Sequence, residues 1–409
     1  MNKAEIRNML NEKGQQQLLR FENELSDSDR KDLYAQISGM DWDFERILSK
    51  HQAGDVKRGK IEPLGALEID EIEARRTEFE AAGIEALKAE KVGAVLLAGG
   101  QGTRLGLDKP KGMLNVGIHK ELYLFECLIN NILDVVKITG HYIPLYIMTS
   151  VKNNDETVLF FEEHNYFGYN PEYVGFFVQE MAPSVDYNGK VYLEEKGKIS
   201  LSPNGNGGWF TSLAKAGYLA EMKEKNIEWL NVFSVDNVLQ RINDPCFVGA
   251  TILSGCDTGA KVVRKAAPDE RVGVLCLEDG KPSIVEYYEM TDEMIHSKKE
   301  NGDLLYNFGV TLNYLFKVSK LEEIMNNDMP AHVVEKKIPY VDENGNTIKP
   351  ETPNGYKFEQ LVLDMIHMMN DCLSYEVVRN KEFAPIKNKE GVDSLETARE
   401  LMKENGIDF

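Results

Sequence analysis

The chain has 409 residues, enough for two or three domains and a large hydrophobic core. Its net charge of −20, from 67 acidic and 47 basic residues, argues against a nucleic-acid partner, because phosphate backbones are bound by a basic face. Five cysteines without metal-ligand spacing indicate unpaired thiols in a reducing compartment. The polar N-terminus has no signal-peptide pattern, and no apolar run approaches the roughly 20 residues of a membrane helix. We therefore expect a cytoplasmic protein without membrane association.

Helical periodicity dominates residues 1–90, for which we predict an N-terminal helical domain packed against the catalytic domain. Ser26 is placed to cap a helix over the residues that follow. A long charged helix is predicted over residues 71–91. The apolar residues at helical spacing are Leu18, Leu19, Phe21 and Leu25 in the first helix, and Leu33, Ile37 and Met40 in the second.

Strand-like apolar runs alternate with helical patterns from Val92 onward. The predicted strands are 92–98, 143–149, 175–179 and 230–235, and the predicted helices are 121–136, 155–164 and 211–224. Such alternation predicts a doubly wound, mostly parallel sheet, with active-site residues at the carboxyl ends of the strands. We assign residues 91–373 to this catalytic domain.

Antiparallel patterns follow the parallel part of the sequence. Strands are predicted at 259–265, 272–277 and 283–288, with a hairpin turn at 278–281. Residues 330–357 read as a long ordered loop, and residues 358–369 as an apolar helix. A short C-terminal segment, residues 374–409, begins with a strand and ends in a helix over 394–405.

The stretch LLAGGQGTRLGLDKPKG, residues 96–112, follows the first predicted parallel strand. Its glycines let backbone N–H groups approach an anion, and its cations suit phosphate. The dinucleotide motif G-x-G-x-x-G fails, because Leu105 occupies its sixth position counted from Gly100. The P-loop motif fails as well, because Leu107 follows Gly106.

This stretch resembles the signature loop of the UTP-dependent sugar-1-phosphate uridylyltransferases, and most closely that of the UDP-N-acetylglucosamine pyrophosphorylase branch. The resemblance extends over about residues 92–387. It implies a Rossmann-like doubly wound mixed sheet of the GT-A-like nucleotide-diphospho-sugar transferase kind, with an N-terminal helical layer and a short C-terminal extension. It also implies UTP and a sugar-1-phosphate as substrates, with Mg²⁺ as cofactor.

The resemblance assigns a role to each candidate site residue. Cations that grip the phosphates and stabilise charge at the α-phosphorus are Arg104, Lys111 and Lys387. Nucleotide-binding residues are Ala98, Gly99, Gly100, Gly102, Thr103 and Gln179, with Pro203, Gly205 and Asn206 of the string SPNGNGGWF. Asp236, at the end of an apolar strand, is the expected Mg²⁺ ligand, with a helix N-cap as its alternative role. Sugar-binding residues are Gly273, Glu286, Asn307, Leu361 and Leu363.

Two departures from the family pattern affect the specificity and the oligomeric state. Leu361 and Leu363 stand where the family has aromatic residues that wall the acetamido pocket, so the sugar is less firmly implied than the reaction. The chain ends 22 residues after Lys387, whereas eukaryotic members continue further, so we expect a monomer or a weak homo-oligomer. N-acetylglucosamine-1-phosphate is the first choice of substrate, and glucose-, galactose- or N-acetylgalactosamine-1-phosphate the alternative.

Two functions of other classes fit the sequence less well. A catalytically silent nucleotide-sugar binding protein would not need Arg104, Lys111, Asp236 and Lys387 intact. A nicotinamide-dependent oxidoreductase is disfavoured by the failed dinucleotide motif. It is also disfavoured by Thr149 and Ser150, which stand where an acidic residue would follow the second parallel strand.

Overall fold

The computed structural model of the protein describes residues 2–53, 58–325 and 329–409. The α-helices of these residues are α1 (Lys3–Glu12), α2 (Asp27–Gly39), α3 (Phe44–Ala53), α4 (Ile69–Lys88), α5 (Leu124–Thr139), α6 (Asn154–Glu163), α7 (Trp209–Lys215), α8 (Tyr218–Glu224), α9 (Pro245–Ser254), α10 (Asp292–His296), α11 (Val318–Ile324), α12 (Val362–His367), α13 (Arg379–Glu382) and α14 (Leu395–Glu404).

The strands are β1 (Ile61–Pro63), β2 (Val92–Leu97), β3 (Leu145–Thr149), β4 (Val174–Val178), β5 (Met181–Pro183), β6 (Val185–Asp186), β7 (Leu193–Glu195), β8 (Lys198–Ile199), β9 (Leu201–Pro203), β10 (Trp229–Ser234), β11 (Thr258–Arg264), β12 (Val274–Glu278), β13 (Lys281–Val285), β14 (Phe308–Lys317), β15 (His332–Lys336), β16 (Tyr340–Val341), β17 (Thr347–Ile348), β18 (Gly355–Glu359) and β19 (Leu373–Glu376).

The described residues form two compact units. Of the described residues, the larger unit comprises 58–179, 209–325 and 362–409, and the smaller unit comprises 2–53, 180–208 and 329–361. Helix α4, which the sequence analysis placed in the N-terminal layer, belongs to the larger unit. There its Phe79 shares a buried apolar cluster with Cys246 and Phe247 of α9.

The larger unit contains a central mixed sheet with the strand order β1-β12-β14-β10-β2-β3-β4. Strand β2 lies between β10 and β3 and is parallel to both, and β3 is parallel to β4. Strand β14 pairs antiparallel with β10, and β11 joins β14 to β19. All six residues of β2 are buried, as expected of a central parallel strand. The carboxyl ends of β2, β3, β4 and β10 therefore meet at one edge of the sheet.

The smaller unit has its own apolar core beneath helices α1, α2 and α3. Ile6, Leu33 and Phe44 from these helices are buried together with Val185 of β6 and Phe358 of β18. Strand β18 lies between β15 and β6 in a three-stranded antiparallel sheet. Ser26 caps α2 as predicted, accepting a hydrogen bond from the Asp29 N–H.

Four predictions of secondary structure were wrong, and three of them concern residues 211–369. The helix predicted over 211–224 is two helices, α7 and α8, because Gly217 adopts a left-handed φ of 93° between them. The loop predicted over 330–357 contains strands β15, β16 and β17, and the beginning of β18. The helix predicted from residue 358 begins at Val362, because Phe358 is a strand residue paired with Val333.

The fourth wrong prediction concerns the apolar residues near the N-terminus. Residues 16–19 and 22–24 form short 3-10 turns, not the predicted first helix. All five cysteines are free, as expected. In the described part of the chain, no helix combines the length and the apolar character that crossing a membrane requires.

Candidate active site

The loop after β2 is fixed to the sheet edge at its first residue. The Ala98 N–H donates to the Met148 carbonyl oxygen at 2.8 Å, and the Asn153 side-chain amide donates to the Ala98 carbonyl oxygen at 3.0 Å. Further along, the Gly102 N–H donates to the Lys109 carbonyl oxygen at 3.1 Å, so the loop closes on itself. A 3-10 turn over Thr103–Leu105 leaves the Arg104 side chain exposed.

Gln179 packs directly against this loop. Its backbone N–H donates to the Thr149 carbonyl oxygen at 2.9 Å, which places it just beyond the end of β4. A Cβ atom at Gly99 would lie 2.4 Å from Gln179 Nε2, so any larger residue there would have to displace the Gln179 amide. Gln179 is 6% exposed, and no hydrogen bond from a described residue reaches its side-chain amide. One donor and one acceptor are therefore available for a ligand with an amide-like edge.

Asp236 follows β10, the strand on the other side of β2. Burial alone would raise the pKa of its carboxyl group, but the cations Lys111 and Lys387 and the Ser234 hydroxyl together lower that pKa. The Ser234 hydroxyl donates to Asp236 Oδ1, and Lys111 Nζ lies 3.7 Å from Asp236 Oδ2. Asp236 is thus a carboxylate held in its charged form between two lysines.

Lys111 belongs to the loop after β2 and is half-buried, unlike the exposed Arg104. Its side chain is 15% exposed. Burial lowers the pKa of its ammonium group, Asp236 opposes that shift, and the nearby charges of Lys387 and Arg104 lower the pKa further. Lys111 and Lys387 therefore both lie close enough to Asp236 to act on its charge, and Arg104 lies close enough to act on Lys111.

Lys387 reaches this group from the segment after α13. The Ile386 N–H donates to the Asp236 carbonyl oxygen at 2.8 Å, and the Lys387 N–H donates to the Asp393 carbonyl oxygen at 2.7 Å. Burial raises the pKa of the Asp393 carboxyl group, and the Lys387 charge opposes the rise. Two residues about 150 positions apart in the sequence are therefore brought to the same place.

Four of the five residues predicted to bind the sugar lie in the larger unit, and three of them, Gly273, Glu286 and Asn307, lie next to strands β12, β13 and β14. Burial raises the pKa of the Glu286 carboxyl group, Glu289 raises it further, and Lys387 lowers it. A Cβ atom at Gly273 would lie 3.4 Å from Glu286 Oε1, and the Asn307 carbonyl oxygen accepts a hydrogen bond from the Lys265 N–H at 2.9 Å. Glu286 thus lies within electrostatic range of Lys387, and Gly273 lies beside Glu286.

The remaining predicted residues are divided between the two units. Pro203, Gly205, Asn206 and Leu361 belong to the smaller unit, and Leu363 lies in α12 of the larger unit. Gly205 has a left-handed φ of 90°, and a Cβ atom there would lie 2.2 Å from the Gln360 carbonyl oxygen. The Gln360 N–H donates to the Asn204 carbonyl oxygen at 2.6 Å, so this loop is fixed by backbone pairing.

The residues around Asp236 fit a metal ion only if substrate phosphates and water supply its other ligands. No cluster of three or more His, Cys, Asp or Glu side chains in the described residues is arranged to hold a metal. Mg²⁺ commonly takes one or two protein carboxylates and fills its octahedral shell with water and substrate phosphates. One charged carboxylate beside Lys111 and Lys387, the cations expected to bind phosphates, suits that mode and does not suit a preformed all-protein site.

Some contacts at the site were not foreseen from the sequence. Ser234 donates to Asp236, Asn153 supports Ala98, and Asn237 bonds to the segment that carries Lys387. The spacing of Ser234 and Asp236 at the end of one strand is a local signal that sequence reasoning could have used. The bonds of Asn237 depend on tertiary structure and have no such signal.

Comparison with known proteins places this geometry in a family. Residues 40–404 match the family described as UTP--glucose-1-phosphate uridylyltransferase. The chain belongs to this family. Within the UTP–glucose-1-phosphate uridylyltransferase family, the mouse (Mus musculus) UDP-N-acetylhexosamine pyrophosphorylase-like protein 1 is 38% identical over 416 residues, covering 96% of this chain and 82% of the relative.

Two further relatives carry similar names. The UDP-N-acetylglucosamine pyrophosphorylase of Saccharomyces cerevisiae is 36% identical over 337 residues, covering 80% of this chain and 71% of the yeast protein. The crystal structure of the uridine diphosphate N-acetylglucosamine pyrophosphorylase from Trypanosoma brucei has a TM-score of 0.84 and 28% identity, covering 98% of this chain and 84% of that one. The resemblance inferred from the loop motif is thus confirmed over most of the chain.

Proposed function

We propose that the protein is a Mg²⁺-dependent uridylyltransferase that makes a UDP-sugar and pyrophosphate from UTP and a sugar-1-phosphate. The observation that carries the proposal is the grouping of Lys111 and Lys387 around Asp236, with Arg104 near Lys111, at the sheet edge that also holds Gln179. Family membership supports the same reaction. We also propose the GT-A-like Rossmann classification expected from the sequence. It is supported by the central mixed sheet, in which β10, β2, β3 and β4 are parallel and β14 is antiparallel.

The chemistry follows from charge. A phosphate oxygen of the sugar-1-phosphate attacks the α-phosphorus of UTP in line, and the bond to the β-phosphate oxygen breaks to release pyrophosphate. The sugar phosphate is already an anionic nucleophile, so no general base is needed. Lys111, Arg104 and Lys387 position the phosphates and balance the charge that develops at the α-phosphorus. When bound through Asp236, Mg²⁺ would neutralise phosphate charge as a Lewis acid.

The nucleotide selectivity is assigned to the edge formed by Ala98, Gly99 and Gln179. The backbone groups of Gly99 and Gly100, the second lone pair of the Ala98 carbonyl oxygen and the side-chain amide of Gln179 offer donors and acceptors that match a uracil edge. Pro203, Gly205 and Asn206, on the loop fixed by Gln360, stay candidate nucleotide contacts. Glu286 and Asn307 are candidate acceptors and donors for sugar hydroxyl groups.

N-acetylglucosamine-1-phosphate is the proposed sugar substrate, since relatives named for N-acetylglucosamine or N-acetylhexosamine are 36–38% identical to this chain. Because Leu361 and Leu363 replace the family's aromatic residues, we expect only weak discrimination between sugar-1-phosphates. Apolar walls discriminate between substrates that differ by a small group by only about 10–200-fold.

The test is pyrophosphate release from UTP and Mg²⁺ with four sugar-1-phosphates: N-acetylglucosamine, N-acetylgalactosamine, glucose and galactose. We expect the highest kcat/KM with an acetamido sugar, and loss of activity on chelation of Mg²⁺ or in Asp236→Asn. Highest activity with glucose-1-phosphate would reassign the sugar and leave the reaction standing. No release with any sugar, despite a melting temperature raised by UTP, would favour a nucleotide-sugar binding protein.

A further inference from the structure

The segment that carries Lys387 is bonded to the loop after β10 through one buried side chain. Asn237, 1% exposed, donates from Nδ2 to the Glu382 carbonyl oxygen at 2.7 Å and accepts at Oδ1 from the Ala384 N–H at 2.9 Å. The neighbouring bond, from the Ile386 N–H to the Asp236 carbonyl oxygen, is 2.8 Å long. The residues on either side of these bonds, Asp236 and Lys387, are both candidates for binding phosphates or metal.

We propose that Asn237 is a positioning residue for the transfer reaction, which fixes the register of residues 382–387 against Asp236 so that the Lys387 ammonium group faces the same phosphates. The role assigned to Lys387 rests on the proposed function. The register itself rests on the three hydrogen bonds just described. An amide is required at this position because one side must donate to a carbonyl oxygen while the other accepts from an N–H.

A buried ion pair anchors the beginning of the same segment. Lys261, 1% exposed, lies 2.6 Å from Glu382 Oε2 and 3.4 Å from Asp244 Oδ2, and it donates to the Arg241 carbonyl oxygen at 3.0 Å. This ion pair ties α13 to strand β11 and to the N-terminus of α9. The buried charges hold Glu382 in place, and Asn237 then sets the path of the next residues.

Lys387 depends on its backbone for its position. Its ammonium group lies beyond ion-pair distance of every described carboxylate and acts on Asp236, Glu286 and Asp393 only at longer range. The centroid of the Phe383 ring lies 6.0 Å from its Nζ atom. A flexible side chain without such a partner is placed only as precisely as the Cα atom from which it extends. A displacement of about 1 Å in a reacting group can cost about 100-fold in rate.

A double-mutant cycle tests the proposal. Asn237→Ala is expected to lower kcat by about 10–100-fold. In a Lys387→Ala background the same substitution should cost less than about threefold, since the group that it positions is gone. If Asn237→Ala lowers kcat by the same factor in both backgrounds, the proposal is overturned.

Asn231→Ala is the matched control. Asn231 is equally buried, and its side chain donates to Asn313 Oδ1 at 2.8 Å and to the Tyr314 carbonyl oxygen at 2.9 Å, without contacting residues 382–387. We expect it to lower the melting temperature, with the same effect on kcat in both backgrounds. If Asn237→Ala does not fold, Asn237→Asp replaces it in the cycle, because the aspartate keeps the acceptor for Ala384 and loses the donor to Glu382.

Hydrogen–deuterium exchange separates this proposal from the proposed function. The Ile386 amide should exchange faster in Asn237→Ala than in the wild-type protein, and at the wild-type rate in Asn231→Ala. Unchanged exchange at Ile386 in Asn237→Ala would overturn the positioning role even in an active enzyme. If the wild-type protein makes no pyrophosphate, the proposed function fails, and the exchange measurement still decides whether Asn237 sets the register.

Discussion

Lys111 Nζ lies 3.7 Å from Asp236 Oδ2, and the two side chains are 15% and 20% exposed. The pair links the loop after β2 to the loop after β10, on neighbouring parallel strands. In the proposed reaction this ion pair would break, because Lys111 would bind a phosphate and Asp236 would bind Mg²⁺. The ion pair therefore marks the point where the triphosphate and the metal would enter.

Removal of either cation in the loop after β2 should abolish most of the turnover. We expect Lys111→Ala and Arg104→Ala each to lower kcat/KM by about 100–1,000-fold, the usual cost of losing a group that stabilises charge in the transition state. Pyrophosphate release measures the effect. Lys109→Ala is the control in the same loop, with nearly wild-type activity expected. Near-normal turnover in both Lys111→Ala and Arg104→Ala would contradict the assignment.

The pH dependence of kcat/KM should report the lowered pKa of Lys111. Burial, and repulsion from Lys387 and Arg104, put that pKa below the ordinary value of 10.5, although Asp236 opposes the shift. Activity requires the charged ammonium group, so kcat/KM should fall as the pH rises through the lowered pKa. Lys387→Gln removes one repelling charge, so the alkaline limb of its residual activity should move to higher pH. An unmoved limb would mean that Lys111 does not control it.

The two glycines at the start of the loop should respond differently to an added methyl group. A Cβ atom at Gly99 would lie 2.4 Å from Gln179 Nε2, whereas no protein atom lies within 4 Å of a Cβ atom at Gly100. Gly99→Ala should therefore lower the melting temperature and weaken UTP binding. Gly100→Ala should leave the melting temperature of the free protein unchanged and still weaken UTP binding, since its methyl group would occupy ligand space.

Calorimetric titration with UTP and thermal unfolding of both variants check this pair. Wild-type UTP affinity in Gly99→Ala would mean that Gln179 does not contact the nucleotide. A melting temperature lowered equally by both substitutions would mean that the space beside Gly100 is not open.

Acid should remove a stabilising contribution from the smaller unit. Glu22 is 2% exposed, and burial would raise the pKa of its carboxyl group, but hydrogen bonds from Tyr34, Arg7 and Lys3 lower that pKa from 4.5 to about 2. A carboxyl group whose pKa is lower in the folded state than in the unfolded state stabilises the fold at any pH above the unfolded-state pKa. This contribution is lost as the pH falls towards the folded-state pKa. The free energy of unfolding of Glu22→Gln should therefore be furthest below wild type near pH 7.

Chemical denaturation at several pH values measures this difference. The deficit of Glu22→Gln should shrink as the pH falls from 4.5 towards 2. Glu12→Gln, at an exposed position on α1, should differ little from wild type at any pH. A deficit of Glu22→Gln that stays constant with pH would show that the Glu22 charge is not what stabilises the fold.

The parallel strands and their carboxyl ends could be predicted because their signal is local. An unbroken apolar run such as Val92 to Leu97 is typical of a strand buried on both faces. A polar residue just after such a run, as Asp236 is after β10, is expected at the carboxyl edge of the sheet. Strands β15 and β18 were missed because their polar, half-buried sequences resemble a loop. They are strands because each pairs with the other across about 20 intervening residues.

The candidate site was predictable in its residues and not in its arrangement. Arg104, Lys111 and Lys387 could be proposed from motifs, whereas the approach of Lys111 and Lys387 to the Asp236 carboxylate could not. The bond between Asn237 and Glu382 joins residues 145 positions apart, and no spacing rule reaches that distance. The division of the chain into a domain over residues 1–90, a catalytic domain and a C-terminal segment stays a prediction.

The backbone hydrogen bond between Asp236 and Ile386 joins distant parts of the sequence, which affects the order of folding. Closing so long a stretch of chain costs entropy that is recovered only when both partners are in place, so contacts of this range form slowly. Helices and hairpins made from neighbouring residues should appear first during refolding, when Asp236 and Lys387 are still apart. Recovery of UTP affinity should therefore lag behind recovery of secondary structure, which makes the nucleotide a probe of the last steps of folding.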